Sequence, residues 1–483
     1  MTRDSSTQGM MPAYALFAFT LWQSFCSSGI VYGWPLLMLL LKQEGVYASR
    51  CPQGVEECSS RDVALNLVFT AGAMCNILGG VIGGPISSPK VALGLGVVLT
   101  TLGSLLLALA PSNSEFLWPL AYIFQGLGGG IVHFGAMSLG NVFGKNRGWI
   151  MACLAGVLGL STFVYQIFYA FYTAGMSRQA VFLLHSGIMV LNLLGTLWLW
   201  PMRPFRAGET VGFQHGRMVA LNGISMGANA ANKARISCKT VLKFAIAPKF
   251  VGFVCFLATQ LWLSRCLMGM FGAELAWKNR ILEDMGSAPI SVSKHLTLFT
   301  MSQAVMGLTV IPVFGTIAAK YGHIGAPAFA TGLLSVVWLA CLCIPAEWPL
   351  YILYIFAGWH RQFFFSTFLN FMTSEYAPEV YGRLLTITNL MSGFVVLVQN
   401  PMLAFILNSL DGNFWPMLAF MLALASLLTA IAGWCLLQER RALKNSKDQK
   451  AKDSDAYDSE ESISNEDLAE NTESSDRSIE NAA

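Results

Sequence analysis

Charge is what this sequence has least of. Only 12% of its 483 residues are Asp, Glu, Lys or Arg, while 54% are hydrophobic. A soluble domain carries about 25% charged residues, so the deficit points to a polytopic membrane protein. Other absences narrow the function. No nucleophile–base pair, phosphate-binding loop or metal-ligand cluster is legible, so neither enzymatic chemistry nor a cofactor or metal is expected. No aromatic-plus-basic stripe or nucleic-acid module occurs, so nucleic acid is not an expected partner. No Asn-x-Ser/Thr acceptor is present, and N-glycosylation is not expected.

What is there instead is a series of apolar runs of about 20 residues, the length that crosses roughly 30 Å of hydrocarbon as a helix. Twelve are read, near 12–41, 64–85, 91–110, 116–140, 149–172, 180–200, 249–271, 295–319, 324–345, 349–373, 384–405 and 414–437. The first is too long, and lacks a clear small-residue cleavage site, for a removable signal peptide. The division expected is a tail (1–11), a first six-helix bundle (12–200), a basic linker (201–248), a second bundle (249–437) and a tail (438–483) holding 13 of the 27 acidic residues. The linker reads as a flexible tether with short surface helices, and the acidic tail as disordered. The tail's serines are either phosphorylation sites for regulators or part of a solubilising segment.

Twelve spans put both termini on one side. That side collects 21 Lys/Arg against 7 on the other, with Arg265 and Arg361 inside spans. The positive-inside rule therefore places both termini in the cytoplasm. Of eleven cysteines, Cys51 and Cys58 stand close together in an outside loop. A disulfide closing that loop is expected, with two free thiols as the alternative.

The arginine of "YIFAGWHRQFFFSTF" carries the functional reading. Arg361 falls near the middle of the tenth run, where a charge costs at least ~2.5–3.5 kcal/mol. It must face the protein interior and find a partner. No acid lies at mid-depth in any run, so a substrate carboxylate is one reading; capping of backbone carbonyls is the other. The same lack of acids argues against a proton relay, with His133 the possible substitute. Ser24, Ser28, Gln125, Tyr165 and Gln260 are further candidate substrate contacts at mid-depth. For each, satisfied packing is the alternative, as it is for Ser161 and for His360 beside Arg361. Gly29 and Gly33 read as close helix packing.

The halves echo one another: "NVFGKNRG" follows the fourth run and "EVYGRLLT" the tenth. This six-plus-six plan with repeated short loops resembles the major facilitator superfamily, although Ser87 and Ser88 stand where its second loop usually has an acid. More narrowly, Gly33-Trp34, Glu44-Gly45-x-Tyr47-x-x-x-Cys51-Pro52 and Leu65-Asn66-Leu67-x-Phe69-Thr70 resemble solute carrier family 43, the facilitative large-neutral amino acid transporters, and the related apicomplexan amino acid transporters. "GLGGG", "YTAG", "APEVYG" and "VQNPMLAFI" add to the likeness; spans 7 to 9 contribute little. The resemblance implies an all-α major facilitator fold with the substrate site between the bundles at mid-depth. It also implies sodium-independent uniport or exchange of neutral amino acids, with the bilayer and a small-molecule substrate as partners, most simply at the plasma membrane. Alternatives are a carrier for cationic amino acids or another organic solute, and a non-transporting amino acid sensor.

Overall fold

The structure is a computed structural model that describes residues 5–55, 58–83, 86, 88–203, 205, 210–214, 217–222, 238–321, 324–376 and 378–441. The predicted acidic tail, from 442 onward, lies outside the described residues, as does most of the linker. Where water is absent, backbone polar groups must pair within their own segment, and the apolar runs are accordingly helical. In chain order come α1 (Ser5–Ser27), a 3-10 turn (Ile30–Gly33), α2 (Trp34–Gln43), α3 (Ser59–Gly83), α4 (Pro89–Leu109) and α5 (Leu117–Ala136). The first set continues with α6 (Arg147–Leu160), α7 (Phe163–Thr173) and α8 (Arg178–Leu199). After the linker helix α9 (Cys238–Ala245) come α10 (Pro248–Asp284), α11 (Val292–Tyr321), α12 (Gly325–Cys343), α13 (Trp348–Glu375), α14 (Pro378–Leu397), α15 (Gln399–Ser409) and α16 (Trp415–Arg441).

Among the described residues nine helices are long and apolar enough to cross a membrane, or up to eleven if two bent pairs each count as one span. The bent pairs are α1 with the turn and α2 (43°), and the two parts of α11 on either side of Ile311 (44°). Pro312 accounts for the second bend, since it cannot donate to the helix ladder. The first falls at the 3-10 turn, where Pro35 opens α2 without an N–H to continue the ladder; Gly29 lets the bend press on α6, since a Cβ there would fall on the Leu158 carbonyl oxygen. α13 is outside this number, because His360, Arg361 and Gln362 dilute its apolar character. The linker departs from the expected tether. Thr210–Gln214 (β1) and Arg217–Asn222 (β2) form an antiparallel hairpin, so the chain is not wholly helical. The alternation in "TVGFQ" and "RMVALN" around His215-Gly216 carries that hairpin signal.

Within the first set α3 packs on α5, and α4 on α5 and α8; within the second, α11 and α12 pack on α13. The α3–α5 seam is lined with glycine. A Cβ on Gly126 would fall on the Gly72 carbonyl, and one on Gly130 on the Asn76 carbonyl. Small residues of this kind let two helix backbones approach. Away from the seams, α8 and α16 expose Leu191, Leu194, Trp198, Ile431 and Trp434, an apolar surface suited to lipid rather than water.

The loop that carries the Cys51–Cys58 disulfide is held by a clasp of charged side chains. Glu44 accepts from Tyr172 (3.0 Å) and from Arg178 Nε (3.2 Å). Arg178 also donates to the carbonyls of Leu107, Ala108 and Ala110. Arg61 donates to the carbonyls of Val46 (2.9 Å) and Lys42 (2.6 Å). Tyr47 adopts φ 57° and donates to the Glu115 carbonyl. Burial pushes its hydroxyl up to about 12, which keeps it a donor. The Glu44–Tyr47 segment noted in the sequence is thus the framework of this clasp. Alkylation mapping of the mature protein without reductant should find Cys51 and Cys58 unreactive together; two free thiols there would be the contrary result. Reduction should loosen the clasp by about 2 kcal/mol.

At this same end the two helix sets are joined by amides. Asn66 Nδ2 donates to Asn400 Oδ1 (3.0 Å), and Gln399 Nε2 donates to Asn66 Oδ1 (2.9 Å). Gly269 of α10 lies against them, and a Cβ there would fall on Gln399 Nε2.

Candidate functional site

Toward the opposite end the sets part around a partly open cavity. The first set supplies Tyr32, Asn76, Ile77, His133, Phe134 and Leu158; the second supplies Leu257, Leu261, Arg265, Phe364, Phe368 and Asn389. The wall is mainly apolar and aromatic, with a few polar groups that can orient a solute, the usual make-up of a small-molecule site. No carboxylate is among its described lining residues.

Arg265 lines the cavity; Arg361 is not among the lining residues but faces the same tyrosine ring. Arg361 of α13 is 3% exposed and Arg265 of α10 is 1% exposed. Both face the ring of Tyr32, the Arg265 guanidinium carbon 3.5 Å and that of Arg361 4.9 Å from its centroid. The two cations are therefore no further apart than the sum of those distances. Arg361 Nη1 and Nη2, and Arg265 Nε and Nη2, have no hydrogen-bond partner. Like charges this close repel strongly away from water, and a desolvated ring face returns about 2 kcal/mol per cation. Several buried guanidinium donors are thus left without an acceptor.

The break after α1 is what puts Tyr32 there. Gly29 and Gly33 press against the carbonyls of Leu158 and Thr162, leaving no room for a Cβ. Tyr32 donates to Asn76 Oδ1 (2.6 Å). Asn76 Nδ2 in turn donates to the carbonyls of Ser28 (3.0 Å) and Gly126 (3.2 Å).

The other candidates lie as follows. The Ser28 hydroxyl donates back to the Ser24 carbonyl, so it is the Ser28 carbonyl that takes part in the site's support. Ser24 Oγ is buried without a partner. Gln125 and Tyr165 are bonded to one another (2.5 Å), and the chain continues through Ser104 and His185 to the Cys26 carbonyl. This network lies inside the first set and does not line the cavity. Gln260 Oε1 accepts from His360 Nε2 (2.8 Å), and Gln260 Nε2 is unpartnered. Ser161 accepts from the Gly29 amide, and His133 lines the cavity.

Sequence reasoning missed three members of the site. Arg265 was visible as a charge inside a span, but nothing in one dimension pairs α10 with α13. Tyr32 and Asn76 gave no signal beyond residue type. The sequence also ended the seventh span near 271, whereas α10 continues to Asp284 and buries Glu274 and Lys278. Lys278 donates to the Ile344 carbonyl (2.6 Å), and Glu274 Oε2 is unpartnered.

Membrane-length helices packed in two sets around an internal cavity make this an integral, multi-pass membrane protein, and its relatives are transporters of organic solutes. No protein-family model matches the chain. Over 227 residues it is 28% identical to the large neutral amino acids transporter small subunit 3 of Homo sapiens, covering 41% of this chain and 38% of that protein. Over 458 residues it is 24% identical to the equilibrative nucleobase transporter 1 of Bos taurus, covering 84% of this chain and 91% of that protein. Arginine transporter 1 of Toxoplasma gondii matches at 24% over 183 residues, 35% of this chain and 34% of that protein. The match thus spans little more than a third of the length of either amino acid relative.

Proposed function

We propose that this protein is a carrier of the major facilitator type that moves large neutral amino acids by facilitated diffusion or exchange, without sodium. The carrying observation is the buried pair Arg265 and Arg361, with donors unsatisfied, beside an apolar cavity. The pair takes the substrate carboxylate, and the Phe and Leu wall takes its side chain. The substrate ammonium has oxygens of Asn76, Asn389, Thr388 and Ser392 within the same cavity. Counting α13, whose 28 residues reach about 42 Å, gives twelve spans in two sets of six. Both termini are then cytoplasmic by the Lys/Arg bias, and the plasma membrane is the simplest location. With the disulfide loop outside, the cavity's place toward the opposite end supports an inward-facing state of an alternating-access cycle.

A nucleobase is the second reading, favoured by the bovine relative, whose match runs through both helix sets. A cationic substrate has less support, because Arg265 lines the cavity, Arg361 lies against the same tyrosine, and no carboxylate is among the described lining residues. Radiolabelled uptake in cells of low background decides between them. Leucine and phenylalanine should be taken up, and leucine uptake should resist competition by adenine and arginine. Adenine uptake that no amino acid competes would overturn the reading, as would binding without any uptake. Replacing sodium should leave the initial rate unchanged. The rate should vary less than severalfold between about pH 5.5 and about pH 7.5, a range over which a titrating relay would show strongly. Accumulation against a gradient, collapsed by a protonophore, would instead implicate His133.

A further inference from the structure

We infer that Tyr32 is the positioning residue of this site: its ring holds two mutually repelling guanidinium groups and so sets the spacing of the donors that receive the carboxylate. The inference rests on the carboxylate reading of Arg265 and Arg361.

Each guanidinium needs a reason to stay where it is. Neither has a carboxylate partner recorded among the described residues, and each repels the other. What both share is the Tyr32 ring, at 3.5 Å and 4.9 Å from the two guanidinium carbons. The face of an aromatic ring is the negative end of its quadrupole, so one ring can attract two cations at once. A ring can hold cations only if it is itself fixed. Tyr32 sits in the 3-10 turn that breaks the first span, and its hydroxyl is tied to Asn76. Asn76 is tied in turn to carbonyls on two segments, Ser28 and Gly126. Its amide orientation follows from those partners, since only Nδ2 can donate to two carbonyls. Tyr32 and its supports belong to the first helix set, and both arginines to the second. The stack therefore crosses the interface along which the sets would move, and the arginines' spacing depends on the relative position of the sets.

Two variants separate ring from hydroxyl. Tyr32→Phe keeps the ring and loses the bond to Asn76. Tyr32→Leu keeps much of the volume and loses the ring. Leucine uptake kinetics and inhibition by leucinamide, whose carboxylate is masked, are measured together with the amount of protein at the membrane. Tyr32→Leu should raise KM for leucine about ten- to thirtyfold and leave inhibition by leucinamide nearly unchanged. Tyr32→Phe should stay within about threefold. Melting of the purified protein gives a readout independent of substrate. Tyr32→Leu should lower Tm in the wild-type background and lower it little further in Arg265→Gln, where only one cation is left to hold. Additive Tm losses would overturn the inference, as would a Tyr32→Phe variant as impaired as Tyr32→Leu. If wild type binds leucine and leucinamide alike, the carboxylate reading falls, while the melting cycle still decides the role of Tyr32.

Discussion

Replacing Arg361 by glutamine is expected to abolish leucine uptake at ordinary concentrations while the protein still reaches its membrane. A buried charged hydrogen bond left unpaired costs about 2–5 kcal/mol, or roughly thirtyfold or more in affinity. Arg265→Gln should act the same way, since its unpartnered nitrogens face the same ring. Lysine should rescue either position poorly, because a point charge on a flexible stem does not reproduce a planar fork. The sharper comparison varies the ligand. Leucinamide should bind wild type weakly and lose little more in Arg361→Gln, because the contact being deleted is already missing. Thermal stability carries a sign of its own. Removing one of two repelling cations should leave Tm unchanged or raise it, as expected where a site is held against its own stability. A scaffold arginine gives the opposite pattern: acid and amide lose equally, and the solubilised protein melts lower.

The second large effect is expected at the glycine seam. Gly130→Val and Gly126→Val place side-chain atoms where the opposing helix has its backbone, and backbone cannot step aside as a flexible side chain can. Overpacking of this kind costs ~1–3 kcal/mol or more. The amount of monodisperse protein recovered by size-exclusion chromatography should fall severalfold. Protein that survives should bind leucine less well, because α5 forced away from α3 moves Asn76, which anchors Tyr32. Gly187→Ala and Gly252→Ala, where a Cβ meets nothing within 4 Å, serve as controls and should behave as wild type. Equal recovery of all four variants would show that the seam tolerates a wider spacing.

Hydropathy reveals helices by what they exclude, so the runs from α3 to α8 were legible in outline from the sequence. It fails where function intrudes. α13 dips because His360, Arg361 and Gln362 lie inside it. α10 seems to stop early because Glu274 and Lys278 resemble loop residues until the neighbouring helices bury them. The broken first span was hidden because Ser28-Gly29 costs little hydropathy while changing the chain's direction. At the site, Arg361 was legible because an intramembrane charge has few explanations. Gln125 and Tyr165 looked similar in one dimension, yet their polar atoms are satisfied by one another inside the first set. Partnership between helices distant in sequence decides that difference.

The amide junction of Asn66 with Gln399 and Asn400 must part in the proposed cycle. Two neutral hydrogen bonds contribute about 1 kcal/mol each net of water, so together they favour the closed arrangement by a ratio of roughly thirty to one. A carrier locked by buried ion pairs would wait longer at every turn. These three side chains carry no charge, so the membrane potential exerts no pull on the junction itself.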